Sequence, residues 1–290
     1  MIVDFRVTLP ASEWRSGAGS AGDDGGSYMT NYGRIYSGDR GGGSDAAAMV
    51  ATMTDAGIDH AVLQAEWASG EYRAMNDAVV RIVGEHPGRL TGYCTVNPGA
   101  GDDMAAVVER EVTERGMRGV NLQPFSYRVM AADKRFYPLY QKCQELGVPV
   151  TIHTSINFSN DRSIEYGRPL PLCEIACDFP DLTIIANHGG WPWVAELVGV
   201  AWKHRNVYIE IGAVAPKYIG TPGGGWETLL QFGNSLLQDQ VLFATDNMLP
   251  YERAVSELQE LPLKDSVKEG WLGANAARLL SEVDARLEVL

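Results

Sequence analysis

Long apolar runs are missing from this 290-residue chain. No stretch approaches the ~20 consecutive apolar residues that span a bilayer, and the chain opens on a short strand pattern containing Asp4 and Arg6, not on a secretion signal. No membrane partner is expected, and a cytoplasmic location is. Basic residues are in deficit as well. With 24 Lys and Arg against 37 Asp and Glu, the net charge is −13, the wrong sign for a nucleic-acid partner. Cysteine is scarce: Cys94, Cys143, Cys173 and Cys177 are the full set. They fall in apolar strands or helices and are expected to be buried, reduced thiols. Cys173 and Cys177 stand one helical turn apart, but two helical ligands with no histidine-rich neighbourhood do not define a zinc site. A phosphate loop of the G-x-x-x-x-G-K-[ST] type is absent, and the GAGSAG of Gly17 to Gly22 lies well past the first strand and opens no helix. Nucleotide binding therefore has no support.

What is present is a repeating unit, clearest from Leu182 to Glu210. Leu182 to Ala186 is a short apolar run rich in β-branched residues, as in a strand buried on both faces. It ends at His188, with Gly189 and Gly190 allowing a tight turn and Pro192 suiting the start of a helix. Val194, Leu197, Val198 and Ala201 then form one apolar helical stripe, and Val207 to Ile211 is the next strand. The same alternation gives strands at Ile2 to Val7, His60 to Gln64, Leu90 to Val96, Gly119 to Gln123, Val148 to His153 and Val241 to Thr245, with helices between them. Eight such units in one domain spanning residues 1–290 predict an α/β (β/α)8 TIM barrel, with an open doubly wound sheet as the other topology. Ala11 to Ser44 interrupts the alternation. It holds ten of the 32 glycines and leaves the carboxyl end of the first strand, so it is expected to be a long loop acting as a lid. Tyr28, Tyr32 and Tyr36 within it are candidates to line a pocket or pin the loop to the barrel.

In a barrel the strand carboxyl ends converge on one mouth. The residues there are polar: Arg6, Thr8, Gln64, Glu66, Asn97, Gln123, His153, His188, Glu210 and Asp246. Of five histidines, only His153 and His188 end apolar strands, and with Asp246 they make a candidate catalytic group. Glu66 and Glu210 are read as polar residues of the mouth or as partners of an arginine such as Arg6 or Arg128.

IIANHGGWPW, VTIHTS, VLFATD, GANAARLL and the opening VDFRV together resemble the amidohydrolase-related proteins of the aminocarboxymuconate-semialdehyde decarboxylase type. The resemblance runs through nearly the whole chain and implies a TIM barrel in a dimer or larger homo-oligomer. It further implies one divalent metal, usually zinc, held by a D-x-H-x-H on the first strand, a histidine after the fifth and an aspartate after the eighth. Carried over, His153 and Asp246 match metal-ligand positions, and His188 matches the histidine that works on water or substrate. The first strand departs from the pattern, because Arg6 and Thr8 fill the two histidine positions beside Asp4. Guanidinium has no lone pair and stays protonated, so it cannot ligate zinc. The favoured expectation is no cofactor, with one zinc ion on His153 and Asp246 as the alternative.

Arg6 suits an anion, because its fork binds a carboxylate bidentately. The substrate is accordingly a small molecule bearing a carboxylate, contacted by Arg6, Thr8, Gln123 and Tyr127. The first expectation is a hydrolase of an amide, ester or lactone. His188 would be the general base on water, aided by Asp246, and His153 would donate toward the oxyanion. The second is a non-oxidative decarboxylase of a small or aromatic acid, with His188 or Asp246 protonating carbon. A ligand-binding pseudoenzyme is the third.

Overall fold

The computed structural model describes residues 1–10, 12–13, 27–35, 41–66 and 72–289. Eight parallel strands pair in sequence order: β1 (Val3–Thr8), β2 (His60–Gln64), β3 (Leu90–Thr95), β4 (Val120–Leu122), β5 (Val150–His153), β6 (Ile184–Asn187), β7 (Val207–Glu210) and β8 (Val241–Leu242). Phe5 N donates to Phe243 O at 2.9 Å and Asp246 N to Arg6 O at 2.8 Å, so β8 is tied back to β1 and the sheet is a barrel rather than an open layer. Around it run α1 (Ser27–Ile35), α2 (Ala46–Asp55), α3 (Tyr72–Glu85), α4 (Met104–Thr113), α5 (Tyr137–Leu146), α6 (Pro171–Asp178), α7 (Val194–Lys203), α8 (Glu227–Gly233), α9 (Tyr251–Gln259), α10 (Asp265–Glu269) and α11 (Asn275–Leu287). Among the described residues no helix is long and apolar enough to cross a membrane.

The helical ring is built as the apolar periodicity requires. Val194, Leu197, Val198 and Ala201 of α7 are all buried, and Asp45 and Asp103 cap α2 and α4 by accepting from backbone N–H groups of the first turn. Two expectations change. The helix after β6 begins at Val194, not Pro192, because His188–Gly190 forms a tight turn of its own. Between α10 and α11 the chain forms a π-helical turn at Gly270–Ala274. Within the glycine-rich stretch expected to be loop, Ser27–Ile35 is helical, while residues 11, 14–26 and 36–40, with Tyr36 and the GAGSAG run, lie outside the described residues.

β1 carries the feature that positions the mouth. Its register against β2 shifts between Asp4 and Val7, and such an irregularity re-aims side chains. Asp4 and Arg6, two residues apart, are both fully buried, as residues of one strand face are when that face is the barrel interior.

Candidate active site

Inside the barrel the usual apolar layers give way to a polar network centred on Arg6, whose side chain is 1% exposed. Its Nε donates to Asp246 Oδ1 at 2.7 Å, and its Nη1 donates to Gln64 Oε1 at 2.6 Å and Asn121 Oδ1 at 3.3 Å. Nη2 forms a short contact with Glu66 Oε1. These bonds engage four of the five guanidinium N–H donors. The acceptors are themselves held: Gln64 Nε2 donates to Phe5 O, Asn121 Nδ2 to Ala65 O, and Thr151 Oγ1 to Gln64 Oε1 and Asn121 Oδ1. Arg6 is thus the cationic hub of the barrel rather than an open fork awaiting a ligand. Glu66 is one of its partners, as an arginine pairing anticipates, and with 15% of its side chain exposed it is the more accessible of the two carboxylates on that fork.

Four carboxyls lie around this one cation, and burial is the main influence on their protonation. Burial raises Asp4 to about 7, Glu66 to about 7 and Glu210 to about 8. Asp246 is raised too, by burial against the opposing pull of Arg6. Arg6 itself is driven upward, since the attraction of Asp246 and Glu66 outweighs the cost of its burial. Glu210 lies fully buried and forms a short contact with Gly212 N, so it is not the solvated residue of the mouth that its position suggested. Its Oε2 and both amide atoms of the buried Asn187 make no hydrogen bond among the described residues.

His153 and His188 meet at the mouth with ring centroids 4.9 Å apart, edge to face. His188 Nδ1 donates to Gly212 O at 3.2 Å, leaving Nε2 as the basic nitrogen, and His153 Nε2 donates to Ile156 O at 3.2 Å, leaving Nδ1. Burial and then the Arg6 charge lower His188 to about 3, and burial and then His188 push His153 well below its usual value. Both rings are therefore neutral at physiological pH, whereas an unperturbed His188 was expected to take a proton from water. Backbone strain marks the same positions. His188 (φ 64°), Asp246 (φ 58°) and Asn247 (φ 54°) sit in the left-handed region, which is disfavoured for residues bearing a side chain and concentrates at functional sites. The glycine after His188 is required for contact as well as conformation, because a Cβ on Gly189 would lie 2.5 Å from the Trp226 ring.

Of the remaining expected contacts, Thr8 and Tyr127 are half-buried and engaged by partners within the fold. The Tyr127 hydroxyl bonds Val96 O in a short contact, Thr8 accepts from Asn247 Nδ2 through its carbonyl at 2.9 Å, and Gln123 is 9% exposed just beyond β4. One aromatic residue that the sequence did not mark, Phe125, stands beside His153, and Tyr28, already a candidate to line a pocket, packs behind it. Phe125 lies with its ring centroid 4.6 Å from His153, and Tyr28 of α1 stacks on Phe125 at 6.3 Å and meets Phe158 at 5.7 Å. Asn31 anchors α1 to the β5 loop by donating to Phe158 O and Asn160 Oδ1. Helix α1 of the glycine-rich stretch is thus packed, through Tyr28 and Asn31, against Phe125 and the loop after β5.

A metal does not fit here. Asp246 is bonded to Arg6, and Asp4 is spent on Thr245 N, Thr245 Oγ1 and Arg6 N. His153 and Asp246 gain no third donor of ligating geometry, since the sole such group of three among the described residues is Cys173, Cys177 and His204, in the helical ring. The positive charge at the centre of this mouth is the guanidinium.

The protonation pattern has a measurable consequence. Asp4, Glu66 and Glu210 bind protons more tightly in the folded protein than in the unfolded chain, where carboxyls titrate near ~4. The stability they lend is complete below that value and is lost as pH rises through 7 and 8. The lowered histidines act in the opposite sense, but only as pH falls below the unfolded histidine value of ~6.5. From about pH 6.5 to about pH 8.5 the raised carboxyls outweigh the lowered histidines, so the urea midpoint should fall across that window. A midpoint that is flat or rises would mean these carboxyls are ionised in the folded protein.

A parallel eight-stranded barrel with acid and base groups gathered at its strand carboxyl ends defines an enzyme of the TIM-barrel class. The amidohydrolase family model matches residues 36–281, and the chain belongs to that family. It is 24% identical over 236 residues to the 2-amino-3-carboxymuconate-6-semialdehyde decarboxylase of Dictyostelium discoideum, covering 71% of this chain and 65% of that protein. It is 31% identical over 137 residues to a 2-keto-4-carboxy-3-hexenedioate hydratase of a Sphingobium species, covering 41% of this chain and 40% of the hydratase. The matches thus span less than two thirds of either relative's length. Among solved structures, an uncharacterised TIM-barrel protein from Bordetella bronchiseptica superposes with a TM-score of 0.79 at 28% identity, covering 98% of this chain and 99% of the other.

Proposed function

We propose that this enzyme decarboxylates a small unsaturated or aromatic carboxylic acid by delivering a proton to carbon, with Asp246 as the acid and the Arg6 guanidinium in place of a metal ion. The observation that carries the reading is the pairing of a carboxyl of raised pKa with a fixed cation, Asp246 Oδ1 to Arg6 Nε at 2.7 Å, beside two neutral histidines. The substrate carboxylate is drawn to the Arg6 charge and competes with Glu66, the more exposed partner of that fork. Asp246 Oδ2 then gives its proton to the carbon bearing the carboxylate. The bond to the carboxylate carbon breaks, its electron pair restores the π-system, carbon dioxide leaves, and Asp246 is reprotonated from solvent. His153, His188 and Phe125 flank an unsaturated ring or chain, with His188 Nε2 and Gln123 as hydrogen-bonding contacts. A decarboxylase among the relatives supports this reading above hydrolysis. The segment shared with a hydratase supports a second one, in which the same proton reaches carbon but water adds and no carbon dioxide forms.

Turnover of a panel of unsaturated and aromatic carboxylates in heavy water tests it. Carbon dioxide release with one deuterium on the vacated carbon is the expected result. Water addition without carbon dioxide supports the hydratase reading, and ¹⁸O from water appearing in a new carboxylate would restore the hydrolase. Tight binding without turnover across the panel would mark a pseudoenzyme.

A further inference from the structure

Far from the barrel mouth, three ligating side chains converge in the helical ring. Cys173 and Cys177 stand at i and i+4 on α6, hence on one face of that helix, and His204 caps the end of α7. Cys173 is half-buried and Cys177 exposed, in contrast to the buried thiols expected from their sequence surroundings. His204 Nε2 lies 3.3 Å from Cys173 Sγ and 3.9 Å from Cys177 Sγ. Tetrahedral zinc with Zn–S near ~2.3 Å and Zn–N near ~2.0–2.1 Å sets sulfur and nitrogen about 3.6 Å apart, a value the two observed separations bracket.

The cluster is held by its frame. His204 N donates to Val200 O at 2.9 Å and His204 O accepts from Val207 N at 3.1 Å, which fixes the histidine between α7 and β7. Glu196 of α7 binds Arg168 and accepts from Leu170 N at 3.0 Å, clamping the start of α6 to α7. Because His204 leads into the beginning of β7, the cluster sits toward the end of the barrel opposite the strand carboxyl ends. Its donors are independent of the Arg6 network. Lys203 Nζ lies 3.4 Å from Cys173 Sγ and 3.9 Å from Cys177 Sγ, so a cation is already drawn to the sulfurs.

We propose that Cys173, Cys177 and His204 form a binding site for one zinc-class transition-metal ion, with solvent as the fourth ligand and Lys203 displaced when the ion binds. Two thiolates and an imidazole are a soft donor set that selects zinc over magnesium or calcium. The ion would cross-link α6 to α7 and release protons from the thiols as it binds.

The reduced full-length protein, free of chelator, is titrated with cobalt(II) as a spectroscopic substitute for zinc. One equivalent per chain should give a thiolate-to-cobalt charge-transfer band and intense tetrahedral d–d bands, both removed by added zinc. Cys177→Ser, at an exposed position, and His204→Gln should each weaken binding more than about 10-fold, since losses outside the ligand shell alone reach that range. Zinc should also raise the melting temperature of the parent protein and not that of either variant. Absence of the charge-transfer band overturns the site. So does a band unchanged by Cys177→Ser or by His204→Gln, or cobalt binding that is instead abolished by His153→Asn at the mouth.

Discussion

Asp246→Asn should lower turnover by on the order of 10²–10⁴, the range contributed by a positioned general acid, while substrate binding is largely retained. Asparagine matches aspartate in size, and its Oδ1 can still accept from Arg6 Nε as the carboxylate does at 2.7 Å. It has no acidic proton to deliver to carbon. Asp246, when ionised, is a like charge that adds to burial in raising Glu66 to about 7, so Glu66 should titrate lower in the variant, a shift that carbon-13 NMR of labelled glutamate can follow. His188→Asn provides the contrast. An imidazole lowered to about 3 is neutral at every working pH, so its loss should leave the shape of the pH–rate profile intact even where the rate falls. The two variants are compared on the same substrate, by carbon dioxide release for turnover and by calorimetry for affinity. Parent-like turnover in Asp246→Asn would remove the proton donor from the mechanism.

Much of this site is written in the strands as a period of two. Asp4, Arg6 and Thr8, Asn121 and Gln123, and Thr151 and His153 alternate with apolar residues, and alternate residues of a strand share one face. The barrel and the positions of Arg6, His153, His188 and Asp246 near its mouth follow from local pattern. Asn121 and Thr151 were legible by the same rule, because each stands two residues before a residue already marked as polar at a strand end. What local pattern does not carry is three-dimensional occupancy. Whether the Arg6 fork is free or saturated depends on four acceptors from β2, β4, the segment after β2 and the segment after β8. The fall of His188 to about 3 likewise comes from burial and from a charge far away in the chain. The cysteine cluster was hidden for the same reason, since His204 approaches α6 from the next helix, about one β/α unit further on. Helix α1 was obscured by composition, its nine residues lying within a stretch dominated by glycine and serine.

The largest effect on stability is expected from Arg6→Met. Methionine approximates the length of the arginine stem and is readily packed, so the change chiefly deletes charge and hydrogen bonds. Asp246, Glu66, Gln64 and Asn121 each lose a donor in the barrel interior, and two of these acceptors are carboxyls. Removing one partner of a buried ion pair costs about 3–5 kcal/mol, because the other charge is left desolvated. The carboxyls have one escape, which is to bind protons. Arg6 is the principal influence holding Glu66 and Asp246 down against burial, so in the variant their folded-state values climb further above the unfolded ones. The stability lent by the bound protons is again complete at low pH and lost as pH rises through those values. Urea unfolding should therefore show a deficit that widens from about pH 6 to about pH 8.5, with a steeper pH dependence than the parent. Arg6→Lys should fall between the two, because an ammonium restores the charge without a planar fork to serve four acceptors. If Arg6 were instead an open clamp for the substrate carboxylate, Arg6→Met would fold with parental stability and lose only affinity, and that result would overturn the placement of the guanidinium at the centre of the barrel.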